Sequence, residues 1–345
     1  MRKYDYSFIK NISYGQLLRL SNIISEISTK EKIQKEENKK AYDALVQQSI
    51  IESMKGSNAI ENIVTTDKRI RELATGSLPI THDENEILGY RNALNFIHEE
   101  NVNIDISERT IKLLHKTMEE ANYKDAGEYK TWNNDISEIL SDGTKITRFV
   151  PVPANEVKKN IDQMLIAYSS AEKDINIHPL ILMSCFIVDF LCIHPFRDGN
   201  GRVSRLLTLL IMYKYGYDIG KYISIEAKIN EYKNEYYDAL QQSSIGWHEN
   251  RNNYEPFIVF MFQIIYSCYK HLNENFMGIV SKKVSKSQRI EYLINNSLVP
   301  ISKRQISERL PDISLKTIEL ELSKLLKENK IKKIGTFKNA RYIGV

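Results

Sequence analysis

Pro179-Leu-Ile-Leu-Met-Ser-Cys-Phe-Ile-Val-Asp-Phe-Leu-Cys-Ile193 is apolar on nearly every side, broken chiefly by Asp189. A helix without a polar face has to be enclosed by other elements. This run is therefore expected as a helix in the middle of a bundle, and Val203 to Tyr213 has the same character. Between them stands His194-Pro195-Phe196-Arg197-Asp198-Gly199-Asn200-Gly201-Arg202, a charged, glycine-containing turn held by two hydrophobic rods. Polar connections fixed on a rigid scaffold are where function concentrates. The apolar run is shorter than the ~20 residues that span a bilayer, so no membrane association is expected.

Outward from this centre, helical periodicity dominates. Leu17, Leu18, Leu20, Ile23, Ile24 and Ile27, then Ala41, Leu45, Ile50 and Ile51, fall at amphipathic spacing. Ile87 to Ile97 and Thr110 to Met118 repeat it, the latter with Ser107 as N-cap and Glu108 in the first turn. Asp135 to Val150 departs from the pattern: two strand-like runs flank Ser141-Asp142-Gly143, the turn signal of a β-hairpin. Pro151 and Pro153 close it, and Asn155 to Tyr168 and Tyr254 to Leu272 return to helix. Ser281 to Ser287 is a Lys/Ser-rich linker. Beyond it come helices at Gln288–Asn295, Ser302–Leu310 and Ser314–Asn329, then strands at Ile331–Ile334 and Arg341–Val345. That order is the one of a winged helix-turn-helix. The expected fold is mainly α with one hairpin, divided into residues 1–104, 105–280 and 281–345.

At 345 residues, with 42% hydrophobic and 27% charged residues, the chain can bury a substantial core, which excludes disorder as its default state. Three cysteines (Cys185, Cys192 and Cys268) are too few for a disulfide framework. With Met1 to Tyr6 lacking an apolar signal core, the expected location is the cytoplasm. Charge is unevenly spread: residues 282–345 hold 15 Lys plus Arg against 6 Asp plus Glu, a local +9, so the net +4 leaves −5 for the rest. Any attraction to DNA or to an acidic partner therefore belongs to the tail.

If Gly199 opens the second central helix, the backbone N–H groups of Gly199, Asn200 and Gly201 form an anion-binding nest at a helix N-terminus. Arg202 and Arg205, three residues apart, can clamp further phosphate oxygens. Asp198 can hold Mg²⁺, which binds through one carboxylate plus phosphates. His194 is the loop's one side chain with a proton affinity suited to transfer near neutral pH.

The segment from His194 to Arg205 resembles the Fic family, whose signature His-Pro-Phe-x-(Asp/Glu)-Gly-Asn-Gly-Arg-x-x-Arg stands here complete. The resemblance extends over roughly residues 55 to 265 and implies a Fic-type helical bundle in which hairpin 135–150 is the target-docking flap. It implies transfer of AMP from ATP to a Tyr, Ser or Thr hydroxyl of an unidentified target protein, and of the protein itself. His194 would be the base, Phe196 the anchor of the loop, and Asp198 the Mg²⁺ ligand. Gly199, Asn200, Gly201 and Arg202 would hold phosphate oxygens, and Arg205 the γ-phosphate. Ile146, Thr147, Arg148 and Phe149 on the flap, with Tyr237, would flank the nucleotide.

Upstream, Ser57-Asn-Ala-Ile-Glu61-Asn62 matches the family's inhibitory pattern (Ser/Thr)-x-x-x-Glu-(Gly/Asn). The resemblance implies that Glu61 pairs with Arg205 and so denies ATP its productive pose, and it leaves removal of AMP by the same residues open. His82, His98, His115, His178, His248 and His271 show no metal-ligand spacing and read as structural. The tail's third helix carries Glu319, Glu321 and Glu328 beside its lysines, so protein interaction or dimerisation weighs against DNA binding. The alternative to an autoinhibited adenylyltransferase is a DNA-binding regulator whose Fic core senses nucleotide, and a homo-oligomer fits either.

Overall fold

A computed structural model of the chain describes residues 2–11, 15–100, 104–139, 144–280, 285–295, 300–310, 312–336 and 340–344. The two apolar rods are helices α7 (Pro179–Ile193) and α8 (Asn200–Lys214), packed on each other at the centre. His178 caps α7, its Nδ1 accepting from the Leu180 N–H, and Pro179 occupies the first helical position, where its missing N–H costs nothing. Gly199, at φ +74°, caps α8 in the left-handed region that glycine enters freely.

Helices α1 (Gly15–Glu37) and α2 (Lys39–Ile60) precede α3 (Asp67–Ala74), α4 (His82–Glu100) and α5 (Glu108–Glu119). Ser107 caps α5 by accepting from the Thr110 N–H, as the sequence predicts. Strands β1 (Ile136–Ile139) and β2 (Lys145–Phe149) form the expected hairpin, with a register irregularity between Ile136 and Ser137. Its turn at Ser141 to Gly143 lies outside the described residues. Then follow α6 (Val157–Ala171), the central pair, α9 (Ile225–Glu231), α10 (Lys233–Ser244) and α11 (Glu255–Val280). Tyr6, Ile9, Leu17, Ile24, Tyr42 and Ile60 join the same hydrophobic core as α7 and α8, so residues 1–104 share one core with residues 105–280. All three cysteines are buried and free. Among the described residues no helix is long and apolar enough to cross a membrane.

A second, separate core gathers Ile290, Ile294, Ile301, Ile306, Leu310, Ile318, Leu322, Leu325, Ile331 and Tyr342. It is built from α12 (Lys286–Asn295), β3 (Ile301–Ser302), α13 (Lys303–Arg309), α14 (Leu315–Lys327), β4 (Ile331–Ile334) and β5 (Arg341–Gly344). The sheet is antiparallel in the order β3-β5-β4. Strand β3 was not legible in the sequence: two residues carry no periodicity, and Ser302 already serves as the N-cap of a capping box with Gln305.

Candidate active site

The loop between α7 and α8 is held rigidly from below. Phe196 is fully buried and stacks on the His115 ring, with centroids 3.8 Å apart. His115 accepts from the Gly127 N–H at 2.8 Å through Nδ1, which makes Nε2 the donor to the Asp198 carbonyl at 3.1 Å. Burial pushes its pKa down to about 4, so this neutral form persists at ordinary pH. The Asn200 amide donates to the Phe196 carbonyl and accepts from the Phe196 N–H, both at 2.9 Å. The Asn200 side chain, expected on phosphate, is instead spent on closing the loop.

His194 ends α7 in the left-handed conformation, φ +51°. Burial, then the Lys130 ammonium, drive its pKa down to about 4 against the opposing pull of the Leu191 carbonyl, Glu61 and Asp198. A neutral imidazole can accept a proton, as a general base must. Asp198 Oδ1 accepts from the Gly199 N–H at 2.6 Å, which corrects the expected nest: Gly199 is already paired, and the N–H groups of Asn200 and Gly201 remain at the first turn of α8. The Asp198 side chain is exposed. Among the described residues no three His, Cys, Asp or Glu gather around a common point. One exposed carboxylate beside a helix N-terminus suits Mg²⁺ bound jointly with phosphates rather than a cage of protein ligands.

Above this nest sits Glu61. Helix α2 ends there in a Schellman motif: the Ile63 N–H bonds to the Asn58 carbonyl at 2.9 Å and the Asn62 N–H to the Ala59 carbonyl at 3.1 Å, with Asn62 at φ +62°. This conformation explains Asn at position 62, since glycine and asparagine enter it most readily. Glu61 Oε1 lies 2.9 Å from Arg205 Nη2, and it approaches Gly201 so closely that a β-carbon there would stand 2.2 Å away. The glycine is what admits the carboxylate. Arg205 also donates to the Ser57 hydroxyl and carbonyl, each at 2.9 Å. Burial opposes the charge on Arg205, but Glu61 and the surrounding tyrosines hold its pKa above the ordinary value. Tyr237, half-exposed, donates to the Ile60 carbonyl at 3.2 Å and so rests on the end of α2, whereas its neighbour Tyr236 is the buried one.

Arg202 departs from expectation. It is 1% exposed, with Nη2 2.9 Å from Glu119 Oε1 and Nη1 paired to Glu86, so two carboxylates from α5 and α4 occupy the guanidinium expected on phosphate. Burial raises the pKa of Glu119 to about 7 against the pull of Arg202. Sequence reasoning read His115 as structural, which it is, and missed Glu86, Glu119 and Lys130. A charged residue inside an apolar helical stripe signals a buried partner, but only the packing names it. On the hairpin, Ile146, Thr147 and Arg148 are exposed, while Phe149 stacks on His248 at 5.4 Å. The structure thus brings Ser57, Glu61, Gly201, Arg205 and Tyr237 together and ties Phe196, Asp198 and Asn200 into one loop.

Residues 105–212 match the model of the Fic/DOC family, so the chain contains a Fic domain. "Protein adenylyltransferase Fic" of Nematostella vectensis is 24% identical over 215 residues, 59% of this chain and 44% of that protein. "Protein adenylyltransferase fic-1" of Caenorhabditis elegans is 22% identical over 233 residues, 66% of this chain and 40% of that one. The chain thus spans less than half the length of these relatives. Among solved structures, a Fic family protein from Desulfovibrio desulfuricans G20 superposes with a TM-score of 0.64 at 19% identity over 96% of both chains. A Fic domain-containing signalling protein from Bacteroides thetaiotaomicron gives 0.59 at 22% identity, over 72% of this chain and 95% of that one. These likenesses show the fold.

Proposed function

We propose that this chain, with its Fic domain at residues 105–212, transfers AMP from ATP to a Tyr, Ser or Thr hydroxyl of a target protein and of itself, and that Glu61 holds it inactive. The observation that carries this reading is the Glu61 carboxylate lying over the Gly201 nest and on Arg205, an anion seated where a phosphate would bind. Neutral His194 takes the proton of the incoming hydroxyl. That oxygen bonds to the α-phosphorus as the bond to the bridging oxygen breaks, and pyrophosphate leaves with the electron pair. Mg²⁺ held through Asp198 would supply charge neutralisation to the phosphate oxygens. The Asn200 and Gly201 N–H groups stabilise the same charge, and Arg205, once free of Glu61, holds the γ-phosphate. Arg202, already bracketed by Glu86 and Glu119, braces the loop. The match to relatives named protein adenylyltransferase supports the reaction class.

The test is self-labelling with α-³²P-ATP and Mg²⁺. Glu61→Gly should label strongly where the unaltered chain does not, and adding Arg205→Ala should abolish the gain. His194→Ala in the Glu61→Gly background should lower transfer by roughly 10²- to 10⁴-fold. A Glu61 that only stabilised the fold would, on removal, lower the melting temperature without any gain in labelling. Equal labelling by Glu61→Gly with and without Arg205→Ala would refute the competition for Arg205.

A further inference from the structure

We propose that Lys130 is a nucleotide-binding residue of this site, its ammonium taking the phosphate that faces His194. The proposal rests on the AMP-transfer reading above and adds a residue to it. Lys130 lies between α5 and β1, and its backbone N–H donates to the Pro195 carbonyl at 2.9 Å, which ties it to the residue after His194. The residue is 5% exposed, and among the described residues its side chain makes one hydrogen bond, from Nζ to Asn134 Oδ1 at 2.9 Å. An ammonium carries three donors. Among the described residues no carboxylate pairs with it or acts on it.

That isolation sets it apart. The other deep cations around the site have partners: Arg2 with Asp189, Arg202 with Glu86 and Glu119, and Arg205 with Glu61. A buried cation without a counter-charge loses its hydration uncompensated, and burial alone pulls the Lys130 pKa down to about 8. An anion arriving there would satisfy the two remaining donors and restore the charge. The position selects the anion, because the Lys130 backbone is bonded to Pro195, the residue after His194, and the Lys130 charge acts on the His194 ring, lowering its pKa. In the proposed reaction the group attacked at His194 is the α-phosphate. Its non-bridging oxygens therefore lie between the Asn200 and Gly201 nest on one side and Lys130 on the other. With Arg202 bracketed by two carboxylates, Lys130 is a buried cation without a carboxylate partner among the described residues, free to serve them.

The probe is AMP, which carries the α-phosphate alone, with adenosine as the comparison. Dissociation constants are measured by calorimetry on the full-length Glu61→Gly chain with and without Lys130→Met. The expected result is a loss of AMP affinity of about tenfold to a hundredfold with adenosine unchanged, and retention of AMP affinity in Lys130→Arg. Equal AMP affinity in Lys130→Met, or an equal loss for adenosine, would overturn the proposal. Should Lys130→Met fail to fold, the chain with native Lys130 decides. Near pH 8.5 AMP binding should draw a proton onto Lys130, read from the heat in two buffers of different ionisation enthalpy, and Lys130→Arg should abolish that uptake. No uptake, or uptake persisting in Lys130→Arg, contradicts the assignment. If the Glu61→Gly chain binds neither AMP nor ATP, the nucleotide reading falls and this proposal with it. If it binds AMP irrespective of residue 130, only the assignment of Lys130 is wrong.

Discussion

Asn62 shows how one backbone conformation aims a side chain. At φ +62° it turns the chain out of α2 immediately after Glu61, and its Oδ1 accepts from Lys233 Nζ at 2.8 Å. Glycine fits this geometry, whereas a β-branched residue is strained there by roughly 1 to 2 kcal/mol. Asn62→Gly should therefore keep both the melting temperature and the low self-labelling expected of the unaltered chain. Asn62→Val should lower the one and raise basal self-labelling, because Glu61 leaves the helix at the wrong angle. Thermal unfolding and labelling measured together check this, and a valine variant as quiet as the glycine variant would show that the cap does not aim Glu61. The Ser-x-x-x-Glu-Asn pattern was legible in the sequence because the cap and the carboxylate are neighbours along the chain. Lys130 was not, since an isolated lysine looks like any surface lysine until its burial, and the absence of a carboxylate partner among the described residues, are seen.

The element that matters most is α2, and it is fastened twice. Ser57 receives the Arg205 guanidinium, and one turn earlier the buried Ser53 hydroxyl lies 2.8 Å from Glu226 Oε2 and 2.9 Å from the Ser224 hydroxyl. Glu226, buried on α9, also accepts from the Tyr90 hydroxyl of α4 at 2.8 Å, so three helices meet at one carboxylate. Removing the Ser53 hydroxyl costs about 1 kcal/mol net. If that loss falls on the seating of α2, Ser53→Ala should raise basal labelling about fivefold although Ser53 does not touch Arg205. A kinetic comparison with the unaltered chain tests it, and an unchanged rate alongside a lower melting temperature would make Ser53 a packing residue only.

Across the whole molecule, the main hydrophobic core and the core of the tail have no residue in common. The basic tail meets the rest through α12 against α11 and α13 against α2. The Glu61–Arg205 pair and the loop that it covers lie wholly among the helices before residue 280. A chain ending at residue 280 should therefore keep the main thermal transition and remain silent in self-labelling, and calorimetry should show loss of a small transition only. A truncated chain that unfolds, or labels itself as Glu61→Gly does, would mean that α13 helps to seat α2. On α14, Glu319 is paired with Lys303 at 2.7 Å.

The sequence by itself determined the two central helices, the position of the loop and the strands of the hairpin, and it singled out the residues proposed here as base and inhibitory carboxylate. Each of these is a local signal: an apolar run without a polar face, glycines before a helix, a turn between alternating strands, a motif confined to a few consecutive residues. Only the tertiary structure decided what the charged side chains do. Arg202 stands within the signature, yet Glu86 and Glu119, over 80 residues upstream, take its guanidinium. Asn200 closes the loop through Phe196, and His115 supports it from another helix. The reason is physical: a helix or a cap depends on neighbours along the chain. The partner of a buried charge is set by which distant segments pack around it, and desolvation makes that partner decisive.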